Sequence, residues 1–158
     1  MHCFPNGVLF LSHHETTYMN FQRVETTGEY VGRFETGSDW RGEIEALADA
    51  VEADAAWFTA LGAVRDAELW FYDQGECTYQ PMTFEEPLEV ASCVGNVSLL
   101  DGDRFAHTHA VLSRPDGEAV AGHLDEATVF AGEIYMRTFD TALERVHDEP
   151  TDLDLWDL

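Results

Sequence analysis

The histidines at positions 107, 109 and 123 are the residues whose type and spacing suggest chemistry in this sequence. His107-Thr108-His109 lies in an alternating pattern typical of a β-strand, so both imidazoles project from the same face of that strand. Imidazole nitrogens are common ligands of transition metals. The pattern therefore places two such ligands side by side.

Whether His123 joins them depends on the turn formed by residues 113–118. Its Arg-Pro-Asp-Gly sequence predicts a type I turn followed by a left-handed Gly117, which makes a three-residue hairpin loop with a G1 bulge. In that register His109 lies opposite His123, and all three imidazoles converge. A two-residue loop closing at Gly117 would instead place His123 opposite Thr108, on the other face.

Three convergent histidines without cysteine form the ligand set of an open metal site, in which a further position is left for water or substrate. We expect zinc or a similar divalent transition metal, held by His107, His109 and His123. Glu133, in the next predicted strand, is a candidate neighbour as a general base, as a partner that orients a histidine, or as a further ligand. The alternative is a partly buried polar patch satisfied by water and Glu133.

The elements that position these residues are mostly strands. Asp39 is typical of a helix N-cap, and the apolar spacing after it predicts one amphipathic helix over residues 39–53. One or two strands are predicted between 20 and 35, and further strands at 55–64, 66–73, 77–83, 87–100, 104–113, 118–124 and 128–139. The pattern indicates an α+β domain with a mostly antiparallel sheet.

The chain of 158 residues is long enough for one domain with its own core. Residues 1–18 differ in composition from the rest, and we interpret them as an over-long start or flexible extension before Met19; a docked strand is the alternative. The domain itself is predicted over 19–139. Residues 140–158 form an acidic tail with seven acids and one arginine, expected to be solvated and mobile or to end in a docking peptide.

The charge is unusual, because 31 acidic residues face 8 basic ones, all of them arginine, for a net charge of −23. Such a field repels phosphate, which argues against direct nucleic-acid binding and against an anionic membrane surface. High salt would screen the self-repulsion, so we predict a halophilic, cytoplasmic protein; an acidic mesophilic protein is the alternative. The three cysteines have no CxxC pair and are expected to be reduced.

Several short segments follow one another in a characteristic order, namely Leu61-Gly62-Ala63-Val64, Pro87-Leu88-Glu89-Val90-Ala91-Ser92, Gly95-Asn96-Val97-Ser98, Asp101-Gly102, His107-Thr108-His109-Ala110-Val111-Leu112-Ser113, Gly122-His123-Leu124 and Glu133. In this combination the chain resembles the plants-and-prokaryotes-conserved (PPC) domain family, as a prokaryotic, halophilic archaeal-like member without an AT-hook. The resemblance implies an α+β subunit, assembly into homotrimers and, as in some prokaryotic members, a metal at His107, His109 and His123.

The resemblance leaves the function open. Plant members join the domain to an AT-hook, so many relatives are labelled DNA-binding, yet this sequence contains no Arg-Gly-Arg. The domain also looks distantly like acetolactate decarboxylase, a zinc lyase with three histidines, a glutamate and an arginine. That likeness implies a keto-acid substrate and a carboxylate-holding role for Arg137, which shares the Glu133 face by strand parity, although a solvated arginine at a strand end is the simpler interpretation.

We therefore expect a homotrimeric regulatory or accessory module whose histidine site binds a metal and a small anionic ligand, and we favour this over an enzyme. A DNA-binding or transcription-associated regulator is the first alternative. A zinc-dependent lyase acting on a keto acid is the second.

Overall fold

The computed structural model describes residues 19–158, and the predictions about residues 1–18 lie outside them. The elements are β1 (Thr26–Arg33), α1 (Trp40–Ala50), β2 (Ala56–Asp73), β3 (Thr78–Phe84), β4 (Leu88–Leu100), β5 (Asp103–Ser113), β6 (Ala119–Phe139), β7 (Arg145–Asp148) and β8 (Leu153–Trp156). Within the described residues, the predicted architecture of a mostly antiparallel sheet with one helix is confirmed.

The main sheet has six strands in the order β1-β6-β5-β4-β2-β3, and every pairing in it is antiparallel. Because β6 also pairs with β2, the strands β2, β4, β5 and β6 form a closed circuit. Closure gives these strands an inner and an outer face, and side chains alternate between the two. Outside the circuit, β1 pairs with β6 and β3 pairs with β2.

The helix begins as the sequence predicts, since the Asp39 carboxylate accepts a hydrogen bond from the Gly42 N–H at 2.8 Å and so caps the first turn. It packs against β5 and β6. Trp40, Ile44 and Ala48 are fully buried. The strands contribute to the same core the inward side chains of Phe58, Val64, Leu69, Leu88, Val90, Val97, Ala106, Leu112, Leu124, Val129 and Met136.

Two pairs of predicted strands are single long strands in the structure. The strands predicted at 55–64 and 66–73 are joined in β2, which begins at Ala56, and those predicted at 118–124 and 128–139 are joined in β6, which begins at Ala119. The polar residues that suggested breaks instead occupy irregularities of the ladder between these strands. At one of them the Asp66 carboxylate accepts a hydrogen bond from the Thr128 N–H at 3.2 Å, so the strands continue past it.

A run as continuously apolar as 55–64 is typical of a strand buried on both faces, but burial in the structure alternates along it. Phe58 is fully buried, whereas Trp57 and Leu61 are 45% and 58% exposed on the outer face. These two side chains therefore lie outside the core of this chain and belong to its exposed apolar surface.

The prediction of a solvated, mobile tail was wrong, because β7 and β8 form an antiparallel hairpin. Arg145 anchors it: its Nε donates to Ser98 Oγ at 2.8 Å and its Nη2 donates to Asn96 Oδ1 at 2.8 Å. The Leu99 N–H also donates to the Leu143 carbonyl at 2.8 Å. The hairpin thus lies on the outer face of β4.

No helix within residues 19–158 has the length and apolar content needed to cross a membrane.

Candidate metal site

The turn between β5 and β6 brings His109 opposite His123, as predicted. The Arg114 N–H donates to the Glu118 carbonyl at 2.8 Å, and Gly117 has a φ of +87°, the left-handed conformation of a G1 bulge. His109 and His123 are consequently paired across the ladder.

The three histidines meet on the outer face of the closed sheet. The ring centroids of His107 and His109 are 5.1 Å apart, and those of His107 and His123 are 5.2 Å apart. One ring nitrogen from each of the three side chains lies within 4.8 Å of the other two. Tetrahedral ligands at ~2.0–2.1 Å from zinc lie about 3.4 Å from one another, so only a small side-chain adjustment separates this group from a coordination geometry.

The electrostatic surroundings keep these imidazoles neutral near pH 7. Burial lowers the pKa of His107 to about 4, with a further contribution from the positive charge of Arg145. Burial also lowers the pKa of His123 to about 4, helped by His109 and Arg41, and it lowers the pKa of His109. A neutral imidazole is the form that binds a metal, so the group is ready to coordinate without first losing protons.

One buried nitrogen of the site lacks a partner among the residues that the structure describes. The Nδ1 of His123 makes no hydrogen bond to any of them, although buried polar atoms are normally paired. A metal ion or its ligand would supply the missing interaction. Among the described residues, no thiol or carboxylate joins the three histidines, and an all-imidazole set suits zinc, copper, iron or nickel.

The backbone under the histidines is held by close packing of β4 on β5. A side chain at Gly95 would collide with the His107 carbonyl and with the Phe58 ring, so only glycine allows the two strands to approach this closely. Thr108, between the two histidines, is fully buried and donates to the Ala106 carbonyl at 3.0 Å. Its burial fixes His107 and His109 on the outer face.

A cavity of about 270 Å³ adjoins the histidines. Its walls are His107, His123, Arg41, Arg145, Asp125, Trp70, Tyr79, Phe105, Leu100, Asp152, Leu153, Asp154 and Leu155. Sequence reasoning missed the arginines and the aromatic residues of this wall. Two signals were available, because Asp125 shares the face of His123 by strand parity and Arg145 is the one basic residue of the acidic tail.

The structure does not bring Glu133 to the histidines. Since β6 is one strand, Glu133 lies ten residues beyond His123 along it, or roughly 30 Å of extended chain. It is exposed beside a different cavity, with Val31 and Leu61. The prediction of a neighbouring Glu133 was wrong because it placed the two residues on adjacent strands.

Arg137 lies farther along the same strand and pairs with Glu29 at 2.9 Å, so it does not reach the histidines either. It is the solvated strand arginine that the simpler interpretation predicted, with about half of its side chain exposed.

The fold and the site together define the class of protein. It is a small antiparallel domain that carries a histidine cluster on the outer face of a closed sheet. Residues 22–140 match the model of the Plants and Prokaryotes Conserved (PCC) domain, written PPC above. The chain belongs to this family.

Solved structures agree with that assignment. A protein from Archaeoglobus fulgidus, described as metal-containing, is 38% identical over 87% of this chain and 99% of its own, with a TM-score of 0.84. A plant- and prokaryote-conserved protein from Pyrococcus horikoshii is 25% identical over 89% of this chain and 98% of its own, with a TM-score of 0.83.

A protein from Bacteroides thetaiotaomicron, provisionally described as DNA-binding, is 22% identical over 85% of this chain and 96% of its own, with a TM-score of 0.77, and it shares the fold. No curated protein matches the chain.

Proposed function

We propose that this protein is a homotrimeric regulatory or accessory module in which His107, His109 and His123 hold a divalent transition metal of the zinc type, and that the site binds a small anionic ligand. The observation that carries the proposal is the meeting of three neutral imidazoles within 4.8 Å on the outer face of the sheet. Zinc held by three imidazoles keeps an open position for such a ligand. The metal-containing relative from Archaeoglobus fulgidus supports the same interpretation.

The metal is tested by elemental analysis of the purified protein and of single variants. We expect one equivalent of zinc per chain in the wild type and its loss in His107→Ala, His109→Ala and His123→Ala. His147→Ala is the matched control, because His147 is an exposed histidine of β7 outside the group. Zinc retained by His123→Ala at wild-type affinity would contradict the proposal.

Self-association is supported by an apolar patch on the outer face. Val31 is 84% exposed on β1, and Leu61 is 58% exposed on β2. Between them Tyr135 of β6 pairs with both Val31 and Thr59, so the patch spans three neighbouring strands. Exposed apolar patches of this kind mark interaction surfaces.

The trimer is tested by light scattering after gel filtration in high salt. We expect a mass three times 17.8 kDa for the wild type and a smaller species for Leu61→Asp. Phe71→Asp is the control, because Phe71 is 60% exposed at the far end of β2. A wild-type protein that elutes as a monomer would contradict the trimer.

The zinc lyase is not part of the proposal, because neither Glu133 nor Arg137 of this chain lies beside the histidines. A regulatory or accessory role needs only the metal, its ligand and the assembly.

A further inference from the structure

The hairpin of β7 and β8 brings a positive charge to the edge of the histidine cluster. Arg145 binds Asn96, and Asn96 lies directly opposite His107 in the ladder between β4 and β5. Its guanidinium lies over the ring of Phe105, 5.6 Å from the ring centroid, two residues before His107. Arg145 therefore shares the outer face with the histidines, and its charge helps to lower the pKa of His107.

Within residues 19–158, no acidic side chain forms an ion pair with Arg145, although the charge of Asp154 is near enough to act on it. The other arginines that are mostly shielded from solvent, Arg41, Arg104 and Arg114, all form ion pairs with acidic side chains. Arg145 is held only by neutral acceptors, namely Ser98 Oγ, Asn96 Oδ1 and the Asp154 carbonyl, at 2.8 Å each. Within residues 19–158, in a chain of 31 acids, this shielded arginine is left without an ion pair.

Donor groups remain available on the cavity wall. A guanidinium has five N–H groups, and three of those of Arg145 are engaged by the three neutral acceptors. On the same cavity, Arg41 is already engaged by acidic side chains, since its Nη1 binds Asp125 at 3.1 Å and its Nε lies 3.8 Å from Glu45. The two remaining N–H groups of Arg145 are therefore the donors left for a ligand.

Size and lining of the cavity select the kind of anion. A volume of about 270 Å³ corresponds to about nine water molecules, so a small molecule fits within the cavity. Trp70, Phe105 and Leu153 add apolar and aromatic surface to a wall that also carries the side chains of Asp125, Asp152 and Asp154. Such walls suit a ligand with a carbon body, and a planar carboxylate matches the fork of a guanidinium.

We propose that this cavity is the binding site of a small organic carboxylate, with Arg145 as the residue that binds its carboxylate group while the other end of the ligand faces the histidines. The inference rests on the proposed function, because it places the anion next to a metal held by the histidines. The assignment of Arg145 extends beyond the matched family domain, which ends at residue 140.

The test is calorimetric titration of malonate into zinc-loaded protein, at the salt concentration that keeps the protein folded. We expect Arg145→Gln to retain one zinc per chain and to bind malonate at least about tenfold more weakly, since a charged hydrogen-bonding partner is lost. Arg65→Gln is the matched control, because Arg65 is exposed and outside the cavity, and it should bind malonate as the wild type does.

Asn96→Asp keeps the test decisive if Arg145→Gln loosens the hairpin. This change replaces the amide whose oxygen accepts from Arg145 at 2.8 Å with a carboxylate. It should strengthen the docking of the hairpin and neutralise the charge of the arginine. We expect zinc to be retained and malonate to bind more weakly. Malonate affinity unchanged in both variants would overturn the inference.

Metal-free protein separates this inference from the proposed function. If the wild type takes up no zinc, the proposed metal role fails, yet malonate binding that depends on Arg145 in the metal-free protein would still support the carboxylate site. No malonate binding in either form would overturn it. Inorganic phosphate is titrated in parallel, and phosphate binding more tightly than malonate, with the same dependence on Arg145, would overturn the assignment to organic carboxylates.

Discussion

Neutral imidazoles and a nearby guanidinium define the chemistry of this protein at the scale of single residues. Burial and neighbouring positive charge both oppose protonation of His107 and His123, so their pKa values fall to about 4. The same positive charge adds no competing ligand, since arginine does not coordinate metals at neutral pH. The surroundings therefore present neutral imidazoles as ligands, and the guanidinium charge favours an anion beside them.

These pKa shifts predict metal binding that resists acid. Three imidazoles with the ordinary pKa of about 6.5 would lose about a thousandfold in affinity between pH 7.5 and 5.5, because protons compete for each nitrogen. Here the neutral forms of His107 and His123 persist down to about pH 4. We expect zinc affinity, measured by chelator competition, to fall less than about tenfold over that interval.

A variant without the charge of Arg145 tests the electrostatic cause of this pH dependence. Arg145→Gln should raise the pKa of His107 in the metal-free protein, followed by NMR titration, because the positive charge that helps to hold this imidazole neutral is removed. A wild-type affinity that already falls about a thousandfold by pH 5.5 would contradict the electrostatic description of the site.

At the scale of elements, the turn at 114–118 decides which way His123 faces. The Gly117 bulge sets the pairing of β5 with β6, and a strand shifted by one residue turns every side chain to the opposite face. Deletion of Asp116 shortens the loop by one residue. We expect the deletion variant to lose zinc even though all three histidines remain, as measured by elemental analysis.

The control for the deletion keeps the loop length. Asp116→Ala removes only the hydrogen bond from the Glu118 N–H to the Asp116 carboxylate, at 2.9 Å, and should retain zinc. Circular dichroism checks that the deletion variant still folds. Full zinc occupancy in a folded deletion variant would show that the register does not depend on this loop.

The elements that sequence reasoning predicted well are those whose signals are local. The Asp39 cap, the helix that follows it and the turn before Glu118 each depend on neighbouring residues in the chain. The terminal hairpin depends on Arg145 reaching Asn96 and Ser98, which lie 49 and 47 residues away in sequence. Contacts between residues so far apart produce no periodic pattern in the sequence. The composition of the tail is therefore the only local signal, and it is typical of a solvated segment.

The same distinction explains the outcome at the site. Strand alternation and loop length were enough to bring three histidines together, because both are local rules. The position of Glu133 depended on whether β6 ends near residue 125 or continues, and that is decided by its ladder with β2. The continuity of a long strand with irregular pairing is a tertiary property, which strand propensity does not report.

At the scale of the whole molecule, a net charge of −23 on 158 residues sets the conditions under which the fold is stable. Self-repulsion opposes the compact state, and at ~1 M salt the Debye length falls to about 3 Å. We expect native structure to be gained as KCl rises from ~0.1 to ~3 M, followed by circular dichroism. Complete folding in dilute buffer would contradict the salt-adapted interpretation.

The same charge predicts weak interaction with DNA. Only eight arginines are available to displace counterions from phosphates, and five of them already pair with acidic side chains. We expect no stable complex of this chain with duplex DNA in electrophoretic titrations. Sub-micromolar binding that weakens steeply with salt would support the DNA-binding alternative instead.

The central claim is that one metal ion binds between His107, His109 and His123, and X-ray absorption at the zinc edge tests it most directly. For protein loaded with one equivalent of zinc, the predicted spectrum contains three imidazole nitrogens at ~2.0–2.1 Å and one oxygen ligand. His123→Ala should lose this signature while His147→Ala keeps it. A wild-type spectrum without imidazole scattering, or one unchanged in His123→Ala, would contradict the claim.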